Sequence, residues 1–249
     1  MSSQEQEPIE QDHALIQAAV KDQLSRQRIR EMADIFRMTE EDLDEKRIIF
    51  PRMRDKRILN VFRDIRTKLI EQAGNQNFTL MVSSMCEGGG ASFVSANLAA
   101  SIALDQGKTS LIVDCNLYSP ASENFLDSDQ VGFSDFLENP AISIEEIIYA
   151  TGIPRLRLVP IGRSPDIGPE YYTSYRMKQF VQELSSRYAD RYVILDVPPI
   201  GSTADARILS ECCDFVVLVV PYAGVTREQL KKTVASVPPE KLVGLIFNN

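Results

Sequence analysis

Runs of nearly unbroken Val, Ile and Leu set the tightest limit on how this chain can fold: TSLIVD (109–114), YVILDVPP (192–199), FVVLVVP (215–221) and LVGLIFN (242–248). FTLMVSS (78–84) has the same character and runs straight into a glycine-rich turn, and LRLVP (156–160) is a shorter strand of the same kind. A strand with one wet face alternates polar and apolar residues, whereas one covered on both faces does not. Helical spacing fills the intervals, over SFVSANLAASIALDQG (92–107), near 133–138 and 143–149, over 171–189, and in TREQLKKTVASV (226–237). The pattern predicts an open, mostly parallel α/β sheet with helices on both faces. Ligands of such sheets bind beyond the carboxyl ends of the strands, which directs attention to residues 83–92, 114–120 and 196–205.

Upstream of the first strand the chain changes character. Residues 1–12 offer almost nothing apolar to offset the entropy of ordering, and a disordered start is expected. Leu15, Ala18, Val20, Leu24, Ile29, Met32 and Phe36 recur at mostly helical intervals, which predicts one or two amphipathic helices over 13–36. Pro51 interrupts any helix through IIFPRMRDKR (48–57), and across the junction with the preceding TEEDLDEKR stretch (39–47) Lys46, Arg47, Arg52, Arg54, Lys56 and Arg57 crowd together; a solvated face is the plain reading, and contact with an acidic partner or an anionic membrane surface is the alternative. Ile58, Val61, Phe62, Ile65 and Leu69 then form the apolar side of a helix that docks on the later part. The expected organisation is a partly disordered, helical N-terminal arm over 1–57 and an α/β domain over 58–249.

Composition narrows the function classes. The net charge of −8 falls mostly after residue 71, and there is no tryptophan, which argues against a nucleic-acid surface. The acidic MSSQEQEPIEQD start does not resemble a signal peptide and no window is apolar enough for a membrane helix, so a cytoplasmic protein is expected. Cys86, Cys115, Cys212 and Cys213 form no spaced framework, and His13 is the one histidine, so reduced thiols are expected in place of disulfides or zinc.

SSMCEGGGAS (83–92) stands between the first strand and the first long helix, where backbone amides and a helix N-terminus can cradle phosphate. Gly88, Gly89 and Gly90 permit the turn and a close approach, and Ser92 can cap the helix or place its hydroxyl on magnesium. The phosphate motif G-x-x-x-x-G-K-[ST] is incomplete: Met85 replaces the first glycine and Ala91 the lysine. That lysine neutralises the β- and γ-phosphates during transfer, so its loss should harm catalysis more than docking. Asp114 and Asp196 end two later strands and are the candidate magnesium and catalytic carboxylates; Asp205 is a further candidate, and turn capping is the structural alternative for each.

These blocks, together with NLAASIALDQGKTSLIVDCNLYSP (97–120), TADARIL (203–209) and VVLVVPYAGVTREQLKKTV (216–234), resemble the cytoplasmic domain of bacterial Walker-type tyrosine kinases, or BY-kinases. The resemblance covers roughly residues 58–249 and implies a P-loop NTPase-like fold. It carries Gly90 and Ser92 onto the phosphate loop, Asp114 onto the first acid of the second motif and Asp196 onto the third. Asn116 stands where the family has a second aspartate, and Tyr118 where it has an arginine. NVFRDIR (60–66) resembles the family's E-x-x-R-x-x-R oligomerisation motif, with Arg63 and Arg66 kept and Asn60 in place of glutamate.

The resemblance further implies an inner-membrane polysaccharide co-polymerase as partner, a homo-oligomer, a peripheral position at the inner membrane, and a tyrosine-rich C-terminal tail as substrate. GLIFNN (244–249), which carries the end of the last strand, has no tyrosine cluster; Tyr171, Tyr172 and Tyr175 cluster internally, with helix packing the plainer role. Three readings follow. The first is a catalytically inactive regulatory or scaffold protein of exopolysaccharide or capsule synthesis, with no nucleotide or weakly held ATP or ADP with magnesium. The second is an active tyrosine autokinase. The third is a partitioning or positioning ATPase of the ParA/MinD type, disfavoured because no lysine occurs from residue 69 to 107.

Overall fold

The computed structural model describes residues 38–248 apart from 123–124, 127–128, 164–167, 187–190, 203 and 223. The expected disorder of 1–12, the helices of 13–36 and His13 lie outside the described residues. Seven strands form one sheet: β1 (Thr79–Ser84), β2 (Thr109–Asp114), β3 (Tyr149–Ala150), β4 (Leu156–Val159), β5 (Arg191–Asp196), β6 (Phe215–Pro221) and β7 (Leu242–Asn248). Their order is β3-β4-β2-β5-β1-β6-β7, and every pairing is parallel except the short β3–β4 edge. From β1 the chain crosses to β2 on one side, while β6 lies on the other. The crevice of an open sheet therefore sits above β1 and β5.

The helices are α1 (Glu40–Glu45), α2 (Lys56–Gln72), α3 (Ala91–Ala103), α4 (Phe133–Glu138), α5 (Pro169–Tyr172), α6 (Tyr175–Ser186), α7 (Ala204–Glu211) and α8 (Arg227–Val234). The unbroken apolar runs are explained by what covers them. Leu80, Val82, Ile112, Ile194 and Val217 point into one core with α2 and α3, whereas Met81, Leu111, Val113, Val193, Leu195 and Leu218 point into a second core with α4, α6 and α7. Each such side chain contributes about 1.5–3 kcal/mol by leaving water. The small residues of α3 bring it close to the sheet, where Ser110 Oγ donates to Ala99 O at 2.8 Å. Among the described residues no helix is long and apolar enough to cross a membrane.

Several expectations need correction. On α2 the buried stripe is Leu59, Phe62, Leu69 and Ile70, while Ile58 and Val61 are 41% and 55% exposed. The stretch near 143–149 is a 3-10 turn (Glu145–Ile147) running into β3. The helix expected over 171–189 is two: α5 ends at Tyr172 with Thr173 as its cap, and Ser174 Oγ accepts from the Met177 amide to start α6. The acidic 39–47 stretch holds α1, begun by a Thr39–Asp42 capping box.

Residues 48–53 belong to the packed structure, since Ile48, Ile49, Phe50 and Met53 are buried in the α2–α3 core. Asn97 on α3 fastens them: its Oδ1 accepts from the Ile49 amide at 2.8 Å and its Nδ2 donates to Arg47 O at 3.0 Å. Replacing Asn97 by Ala leaves the buried Ile49 amide and the part-buried Arg47 carbonyl without these partners. Asn97→Ala is expected to lower unfolding stability by about 3 kcal/mol, read from the denaturant midpoint; an unchanged midpoint would show that this connection is dispensable.

Candidate functional site

The glycine-rich loop takes its shape from backbone geometry. Ser84 Oγ, at the end of β1, donates to Cys86 O at 2.6 Å, and the Gly89 amide donates to the same carbonyl at 3.2 Å. Gly88 and Gly90 have φ of 68° and 90°, a region where a side chain would strain the backbone. A Cβ on Gly89 would come within 2.7 Å of Ser84 Cβ. α3 then starts at Ala91 with no side-chain cap, so its first amides have no side-chain acceptor from Gly90. Geometrically this is a phosphate loop.

Above it opens a cleft of about 810 Å³ lined by Gly88–Ser92, Asn116, Tyr118, Ser119, Val197, Pro199, Ser202 and Glu87. No lysine, arginine or histidine is among those lining residues, and Glu87 is the one carboxylate. Ala91 is itself buried. The loop thus keeps its amides while its side-chain charge has the wrong sign for a polyphosphate.

Asp114 and Asp196 end neighbouring strands in register, and both are almost completely buried. Asp114 is committed to its own loop: its Oδ1 accepts from the Asn116 amide at 3.0 Å, and its Oδ2 from the Ala121 and Ser122 amides at 2.8 Å. Burial raises its pKa despite those bonds. Asp196 Oδ1 accepts from Ser95 Oγ at 3.2 Å, whereas Oδ2 has no hydrogen-bond partner. Burial, with the Asp114 charge beside it, pushes the Asp196 pKa up to about 7 against the opposing influence of the Ser92 and Ser95 hydroxyls.

Asn116 Oδ1 accepts from the Tyr118 and Ser119 amides, both at 3.2 Å, and so shapes the turn after β2. Tyr118 OH donates to Asp205 Oδ2 at 3.3 Å, which ties this loop to α7. Arg63 and Arg66 lie away from the cleft on α2; Arg63 is exposed, and Arg66 donates to Ser101 O at 2.8 Å. Of the clustered tyrosines, Tyr172 is a core residue donating to Cys115 O, while Tyr175 is 78% exposed. All four cysteines are free thiols.

Two residues were absent from the sequence expectation. Ser95 follows Ser92 by one helical turn, so the spacing alone places a second hydroxyl beside Asp196. Asn248 reaches the loop from β7, donating to Gly89 O at 3.3 Å and filling the space where a Gly90 side chain would stand. Only the strand order reveals that contact.

The raised Asp196 pKa has a definite sign. A carboxyl whose native pKa stands above its unfolded value loses stability as pH rises from about 4 to about 7. Asp196→Asn is therefore expected to be more stable than the parent at about pH 8, with the advantage shrinking toward about pH 4. Urea unfolding across that range measures it, and a variant less stable than the parent throughout would contradict the burial penalty.

No protein-family model matches the chain. Tyrosine-protein kinase CpsD of Streptococcus agalactiae is 31% identical over 196 residues, covering 78% of this chain and 84% of the relative. Tyrosine-protein kinase YwqD of Bacillus subtilis is 32% identical over 191 residues, covering 75% and 79%. Among solved structures, the kinase domain of the Escherichia coli tyrosine kinase ETK superposes with a TM-score of 0.71 at 24% identity, over 86% of this chain and 88% of that one, which speaks to the fold. With the glycine-rich loop above β1, the paired strand-end aspartates and relatives matched over most of their length, the chain belongs to the bacterial tyrosine-kinase (BY-kinase) family of P-loop α/β proteins.

Proposed function

We propose that this protein is a catalytically silent BY-kinase-like protein that acts by binding, as a regulatory or scaffold component of exopolysaccharide or capsule synthesis. The observation that carries the reading is the cleft itself: glycine geometry suited to phosphate, with no cation among the lining residues and Glu87 at its edge. A triphosphate brings several negative charges whose transfer requires a positive clamp. Ala91 cannot supply one.

The implied magnesium fits only in part. Ser92 with the partnerless Oδ2 of Asp196 could hold a cation and its water, but Asp114 already spends both oxygens on its own loop. Among the described residues no group of three or more acidic, histidine or cysteine side chains converges for a metal. The donors do not fit a catalytic nucleotide–magnesium complex. Weak ADP or ATP binding through backbone amides is the most this site supports.

The partner assigned by family resemblance is an inner-membrane polysaccharide co-polymerase, which would hold the protein peripherally at that membrane. Self-association through α2 has Arg63, Ile58 and Val61 on its exposed side; Arg66 is already engaged by α3. An autokinase would require the Ser92–Asp196 pair to work without the lysine.

The test is turnover. Purified protein with ATP and magnesium is expected to release no phosphate and to carry no phosphotyrosine by mass spectrometry. Ala91→Lys is expected to tighten ADP binding about tenfold by restoring one charge-assisted contact. Phosphate release by the parent that disappears in Asp196→Asn would overturn the proposal.

A further inference from the structure

A second cleft lies at the same end of the sheet, between α7 and α8, with a volume of about 380 Å³. Its charge is opposite to that of the glycine-loop cleft. Arg207 on α7 and Lys232 on α8 line it, no aspartate or glutamate does, and neither cation has a carboxylate partner among the described residues. Gln229 adds a donor: its Oε1 is taken by the Thr226 amide at 2.8 Å, so its NH₂ is the end left for a ligand. Ser202 and Thr233 bring hydroxyls. Two cations with amide and hydroxyl donors, and no competing anion, match a compact dianion better than any neutral or cationic group.

We propose that this cleft binds a phosphate monoester group, with Arg207 and Lys232 as its charge clamp. The site is separate from the glycine loop but shares a wall with it. Met85 and Cys86 line the second cleft, and Ser202 lines both. The turn carrying Ser202 is fixed to β1, where the Ile200 amide donates to Ser84 O at 3.1 Å and to Ser83 Oγ at 3.0 Å. Gly201 packs so closely on Met85 O that an added Cβ would stand 2.9 Å from it. An anion held by Arg207 and Lys232 therefore presses on the base of the glycine loop. Anion binding here does not require the glycine loop to turn over ATP.

Cys86 offers a reporter within the site, because it is a partly exposed thiol that lines this cleft and not the other. The full chain is alkylated with iodoacetamide in rising inorganic phosphate, with chloride matching the ionic strength, and each cysteine peptide is followed by mass spectrometry. Phosphate is expected to slow Cys86 labelling saturably while leaving Cys212, on a distant surface, unchanged. Arg207→Gln and Lys232→Gln should each raise the half-protecting concentration about tenfold, and Arg207→Lys should retain protection. Both positions are exposed, so these changes leave the core intact. Cys86 labelling indifferent to phosphate, or protection that survives the double Gln variant and vanishes in Ser92→Ala, would overturn the site.

Discussion

Two carboxylates ending adjacent parallel strands, in register and out of water, are the constraint around which this end of the molecule is organised. Burying one charge is costly and burying two neighbours more so, unless each finds donors or keeps its proton. The chain solves the problem differently for each. Asp114 collects three backbone amides from the loop that follows β2 and becomes that loop's organiser. Asp196 receives the Ser95 hydroxyl from α3 and has its pKa raised toward neutrality. The loop around Asn116, the placement of α3 over the sheet and the seat of the glycine turn all follow from these two arrangements.

Backbone geometry and side-chain charge have come apart in this protein. The shape of a phosphate loop depends on glycines, on a strand end and on a helix start, none of which needs a lysine. Catalysis on phosphate depends on the charge as well. A chain can therefore keep the shape at full definition while the lysine's charge is gone, because the fold does not rely on that charge. Indeed Ala91, at the lysine position, packs into the core at the start of α3. What was a ligand position in the motif is here a packing position.

Much of the fold could be read from the sequence because the strands are apolar on both faces, and the structure places alternate residues of each in opposite cores. The glycine loop, Asp114, Asp196 and the small-residue helix were readable for the same reason: each is local. Errors arose where tertiary context decides. Ile58 and Val61 fit an amphipathic pattern as well as Leu59 does, and only the docking angle of α2 on α3 selects the stripe. The 143–149 stretch has helix-compatible residues but winds a single 3-10 turn over Glu145–Ile147 before Tyr149 and Ala150 pair with β4 as an edge strand. The α7–α8 cleft had no sequence signal, since Arg207 and Lys232 meet only through the crossover between β5 and β6 and the helix beyond it.

The amide of Asn248 resting on Gly89 and Gly90 makes the last strand part of the loop's mould. β7 is half-buried, pairs with β6 alone and already accommodates a register shift between Val216 and Val217. In a strand, neighbouring residues face opposite ways, so a slip of one position would deliver Phe247 where Asn248 now stands. An aromatic ring would then meet a turn that has room for an amide. The pairing of two strands at the far edge of the sheet thus sets whether the phosphate loop stays open, and a ligand that braced or loosened that edge would be felt at the glycines without touching them.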